Sequence, residues 1–171
     1  MAAAATFAGP VGRPLWLAAV ASAGVGGAVL LGLALTTVLS VLGRALLNQP
    51  IPGDFEIMEN GIAVAVALLL PFAQVKRGHV IVDFMTGWAP AAWRRRLDGL
   101  AALVFAGLFG LLLWRSLLGT QDAWRSQEET VTLALPVWLF FLPVLFGLAL
   151  CLLVLLRQAW CDLAPAPQAT P

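Results

Sequence analysis

Four long stretches of this chain carry almost no charge, and that feature constrains its fold more than any other. The hydrocarbon core of a bilayer is about 30 Å thick, which roughly 20 helical residues cross. Leu15 to Leu42 lies uncharged between Arg13 and Arg44. It exceeds the roughly 7–15 apolar residues of a signal-peptide core, so it reads as a retained first span, residues 15–42. The second span, 56–75, opens with Glu56, Glu59 and Asn60 and ends before Lys76 and Arg77, charges that suit the helix dipole at both ends. The third covers 97–118, with Asp98 near one end and Arg115 near the other. The fourth occupies 131–156. Pro136 reads as its first helical residue, where a missing N–H costs little, and Pro143 as an interior kink.

Composition excludes several alternatives. The chain is 61% hydrophobic and 11% charged, whereas a soluble domain is roughly a quarter charged. A net charge of +1 provides no basic field for nucleic acid. The two cysteines, Cys151 and Cys161, form no C-x-x-C motif, and the single histidine, His79, cannot supply the paired imidazoles of a membrane cytochrome. His79 also has no hydroxyl nucleophile near it in sequence, and the glycines lie in apolar runs rather than phosphate-cradling motifs. No enzyme activity, metal site or cofactor is expected.

Positive residues in short loops stay in the cytoplasm. Arg13, Lys76, Arg77, Arg94, Arg95, Arg96 and Arg157 fall on one side, and Arg44, Arg115 and Arg125 on the other. Both termini are therefore expected inside. Between the second and third spans, Ile81, Phe84, Met85, Trp88 and Ala92 recur with helical period, predicting a short amphipathic interfacial helix over about 80–93. Trp88 and Trp93 suit the headgroup layer, and Arg94, Arg95 and Arg96 suit anionic lipid phosphates. His79 precedes Asp83 by four residues, a spacing that fits a local contact at the start of that helix. The expected fold is an all-α integral membrane protein: a four-helix membrane domain over 15–157 plus the interfacial helix. Tails at 1–14 and 158–171 lack the residues to bury a core and are expected to be disordered.

Two features point to subunit contact. Small residues form ridges along the first span: Ala18, Ser22 and Gly26; Ala19, Ala23 and Gly27; Gly24, Ala28 and Gly32. Such ridges let helix backbones approach closely in lipid, and they cover more of the circumference than one neighbour needs. Glu59, one turn into the second span, lies at the expected depth of Arg44 and Arg115, so a structural clasp between Glu59 and one of these is predicted.

Arg44, the Asn48-Gln49-Pro50-Ile51 run, Glu59, the Arg77-Gly78-His79-Val80-Ile81-Val82-Asp83 stretch, Pro90, the three arginines from Arg94, and Leu135-Pro136-Val137-Trp138 together resemble the small membrane subunit (Q-type, DctQ-like) of tripartite ATP-independent periplasmic (TRAP) transporters. The resemblance covers roughly Arg44 to Arg157 and is most distinctive at Gly78 to Asp83. It departs from the commoner pattern at Val80, where isoleucine often follows the histidine. It implies a bacterial inner-membrane importer of organic acids driven by a sodium gradient. Its partners would be a periplasmic substrate-binding protein and a large elevator-type membrane subunit on a separate chain, braced by this one. Membrane lipids are a further expected partner. The competing readings are a membrane anchor of an oxidoreductase and a small autonomous dimeric transporter using Glu59.

Overall fold

The computed structural model describes residues 12–48, 51–76 and 91–163, with side chains from residue 97 onward in the last segment. Four helices make up the described residues: α1 (Gly12–Leu47), α2 (Asp54–Val75), α3 (Ala91–Ser126) and α4 (Trp138–Leu163). All four are long and apolar enough to cross a membrane. At 1.5 Å per residue, α1 and α3 are each about 54 Å long, well beyond one hydrocarbon thickness.

Both long helices outrun their expected spans because hydropathy marks the part of a helix that lipid tolerates, not where its backbone stops. α1 begins before Arg13 and runs through Arg44, ending where Asn48 turns left-handed with φ 54. Pro14 sits in its first turn, where proline removes no helical hydrogen bond. α3 likewise includes Trp93 and Arg94 to Arg96 in its first turns and continues past Arg115 to Ser126, where Gln127 is left-handed with φ 52.

α4 corrects two expectations. It begins at Trp138, not at Pro136, and it continues past Arg157 to Leu163. Pro136 instead closes a compact loop, paired in antiparallel fashion with Glu129. Within the loop Thr130 N–H donates to Leu135 O at 2.9 Å and Val137 N–H to Glu128 O at 2.9 Å. Those bonds hold Pro136 outside the helix, although its carbonyl accepts from Leu139 N–H at 3.1 Å and so starts the turn. At the other end, buried Gln158 and Ala159 keep the backbone helical through residues expected to be disordered. Gly12 to Pro14 are helical for the same stretch of the other tail; the remainder of both tails lies outside the described residues. Pro143 is interior to α4, as is Pro71 to α2.

The helices pack in the order α1, α2, α4, α3, an open row rather than a closed bundle. α2 and α4 are the inner pair and bury the larger share of their apolar windows; α1 and α3 flank them. α1 also touches α4, and Ala19, Val75 and Val154 form the cluster where α1, α2 and α4 converge. A second cluster, Ala106, Cys151 and Leu155 with Leu70, Phe105 and Phe109 around it, joins α3 to the inner pair.

Close approach rather than bulk explains the α2/α4 contact. Gly147 presses on the α2 backbone so tightly that a methyl group there would run into the Ala67 carbonyl. Lipid chains are as apolar as leucine, so helices in a bilayer associate by backbone proximity and packing rather than by exclusion of water. Gly26 meets α2 in the same way, its Cβ position lying 3.0 Å from Ala65 O and 3.1 Å from Leu68 Cβ.

Candidate subunit interface

At the junction of α1 and α2 a polar group of three residues ties the helix ends. Asp54, the first residue of α2, accepts a hydrogen bond from Ser40 Oγ and lies 3.7 Å from the Arg44 guanidinium. Ser40 is buried on the α1 face that carries Ala19, Ser22, Gly26 and Leu33, a spacing of three, four and seven that keeps one side of α1 against α2. One turn down, Thr37 Oγ1 is 3.2 Å from Met58 Sδ. The structure thus pairs Arg44 with Asp54, while Glu59 is exposed further along α2. Arg115 lies exposed on α3, at the far side of the row from α1, and neither it nor Arg44 forms an ion pair with Glu59.

The loop between α3 and α4 is fastened to the same end of α2. Glu56 accepts from the backbone N–H of Thr132 at 2.7 Å and of Leu133 at 3.2 Å. Leu133 packs over Gly53, whose φ of 76 is left-handed and whose Cβ position would sit 2.6 Å from Leu133 Cγ. Both properties demand glycine: the backbone conformation is strained for L side chains and the space is taken. Below the loop, Trp124 and Trp138 meet edge to face with centroids 4.6 Å apart, joining the facing ends of α3 and α4.

The small-residue ridges of α1 divide by direction. Ala19, Ser22 and Gly26 face into the protein, and Ser22 returns its hydroxyl to Ala19 O at 3.0 Å. Gly24, Gly27 and Gly32 have open space where a side chain would be, and Ala28 is exposed. Of the residues expected to form a packing face, Ser22 and Gly26 therefore pack within the chain and Gly27 looks out of it.

A buried amide pair was not anticipated from the sequence. Gln158 Nε2 donates to Gln74 O at 2.8 Å, and Gln74 Nε2 lies 3.4 Å from Gln158 Oε1. Each glutamine stands near the end of an apolar run, Gln74 two residues before Lys76 and Gln158 just after Arg157. Among the described residues the buried polar side chains, Ser22, Ser40, Gln74 and Gln158, all have partners inside the chain. Arg157, half-buried on α4, encloses its Nε without a hydrogen-bond partner among the described residues.

His79, Asp83 and Trp88, with the expected interfacial helix up to Pro90, lie outside the described residues. Trp93 and Arg94 to Arg96 belong to the first turns of α3 by their backbone.

Four apolar helices in an open row, tied at one end by Asp54 and Glu56, define a multi-pass membrane protein assembled from helix backbones in close contact. The chain belongs to the family described as the DctQ component of tripartite ATP-independent periplasmic transporters, whose model matches residues 33–164. The match starts within α1 and covers α2, α3 and nearly all the rest of the chain, and the family is one of transporter components rather than enzymes. No curated protein and no solved structure matches the chain.

Proposed function

We propose that this chain is the accessory subunit of a sodium-gradient-driven importer of organic acids, and that it braces a large elevator-type membrane subunit without binding substrate itself. The observation that carries this reading is the commitment of Ser22, Ser40, Gln74 and Gln158 to partners within the chain. A hydrated carboxylate enters a low-dielectric interior only where polar groups replace its water. These four are already engaged, Ser22 with Ala19 O, Ser40 with Asp54, and Gln74 and Gln158 with each other. The open row supports the same reading, since α1 and α3 each present a broad apolar surface outward, including Leu31 and Val104, for lipid or for a neighbouring subunit.

In this proposal both termini are cytoplasmic in the bacterial inner membrane, and the loop carrying Glu128 to Val137 faces the periplasm, where a substrate-binding protein delivers its cargo. The segment up to Pro90 and the Trp93 to Arg96 run lie at the cytoplasmic interface and anchor the brace against displacement along the membrane normal.

The test is uptake of labelled organic acids into liposomes under an inward sodium gradient. With this chain, the large membrane subunit and the binding protein together, uptake is expected; with this chain alone, none. Uptake by the chain alone would contradict the proposal and favour an autonomous transporter.

A further inference from the structure

α2 is covered on only part of its circumference. α1 packs along it through Ser40, Leu33 and Gly26, α4 through Gly147 and Gln158, and α1 and α4 touch each other behind it. The remaining strip is open. Phe55 is 75% exposed, Ile62 44% and Val66 48%, with Ala63 and Ala73 also exposed. Glu59 stands in the middle of this strip, exposed, with no hydrogen bond or ion pair among the described residues.

That position is a poor one against lipid. About 20 helical residues cross the hydrocarbon, and counting back that far from Lys76 reaches Glu56, so Glu59 lies inside the edge of the apolar layer. Glu56, nearer the helix start, satisfies its carboxylate with two loop amides; Glu59 has no such donors. Charged side chains in membrane helices face protein or a water-filled cavity and pair with an opposite charge. A glutamate is also too short to reach far toward the headgroups, as a lysine or arginine does. An apolar surround of Phe55, Ile62 and Val66 around one carboxylate is the form of a docking face that excludes water from a central charge pair.

We infer that the Phe55, Glu59, Ile62 and Val66 strip of α2 seats a transmembrane helix of a separate chain, which places a lysine or arginine against Glu59. The inference rests on the accessory-subunit reading and deepens it: the partner is the large membrane subunit, and the cation comes from its side chain rather than from a lipid amine. Ala63 and Ala73 leave room for that helix to approach along the strip.

The experiment uses the full complex, solubilised and recovered through a tag on this chain. A photoreactive amino acid at Ile62 or Val66 is expected to cross-link to the large subunit. Glu59→Lys, which places like charges together, is expected to lower recovery of that subunit at least tenfold, and Glu59→Gln to lower it less. Reversing the sign of the lysine or arginine in the cross-linked segment is expected to restore recovery with Glu59→Lys. The helicity and melting temperature of the variant chain alone should be unchanged, because Glu59 has no partner within it. Cross-links to lipid only, cross-links to a second copy of this chain, or wild-type recovery with Glu59→Lys would overturn the inference. Failure of the unmodified chain to recover the large subunit at all would instead overturn the accessory-subunit reading.

Discussion

At single positions the fold depends on backbone proximity more than on side-chain bulk. Gly147→Ala is expected to force α2 and α4 apart at Ala67 and to cost about 1–3 kcal/mol, as overpacking in close-packed interiors does. Gly24→Ala and Gly32→Ala, which open into free space, are expected to leave stability unchanged or slightly raised. Unfolding of the purified chain in mixed micelles with increasing denaturing detergent separates the two cases. The Gln74 and Gln158 pair gives a second prediction on the same assay. Gln158→Leu should cost about 0.6–1.7 kcal/mol, the range of interhelical hydrogen bonds in membranes, and adding Gln74→Leu should cost less than the sum. The sequence pointed to Arg44 or Arg115 holding the start of α2 through Glu59, but not to Asp54 as the acid that faces Arg44. Choosing between Asp54 and Glu59 needs the pairing register of α1 and α2, which sits in contacts such as Leu33 against Gly61 rather than in either helix pattern. The glutamines escaped for a related reason: they are 84 residues apart and become partners only once α4 is laid beside α2.

Helices were legible where lipid imposes a rule and illegible where it does not. Four nearly uncharged runs read directly as four apolar helices, because a backbone in hydrocarbon must satisfy its own hydrogen bonds. Their ends differ because residues such as Arg13, Arg94 and Arg157 stop a span without stopping a helix. Pro136 shows the opposite error, where a residue suited to start a helix was claimed first by loop hydrogen bonds between Glu128 and Val137. That loop is held to α2 mainly through the Glu56 carboxylate, so Glu56→Ala should release it while leaving α4 intact. Hydrogen exchange measures this directly: the amides of Thr132 and Leu133 are expected to exchange faster in the variant, and those of α4 from Leu145 onward at the wild-type rate. Faster exchange throughout α4 would mean that the loop helps hold the helix itself.

As a whole the protein is a row with two flanking helices and much apolar surface left over, a shape that makes sense beside something else. The order α1, α2, α4, α3 could not be read from helix patterns, because each span is apolar on most sides and several pairings satisfy it equally. The proposed orientation has its own check. In a chain free of Cys151 and Cys161, Val131→Cys, at a position 98% exposed, should react in intact cells with a thiol reagent that reaches only the periplasm. A cysteine restored at Cys161 should react only after the membrane is opened. The proposed function requires this subunit to stay rigid while another moves. It is tested most directly by replacing Leu33 and Gly61, which touch across α1 and α2, with cysteines in the same background and locking them covalently in the assembled transporter. Sodium-driven uptake per complex is expected to be the same locked and unlocked. Loss of uptake on locking, recovered on reduction, would mean that this subunit itself has to move.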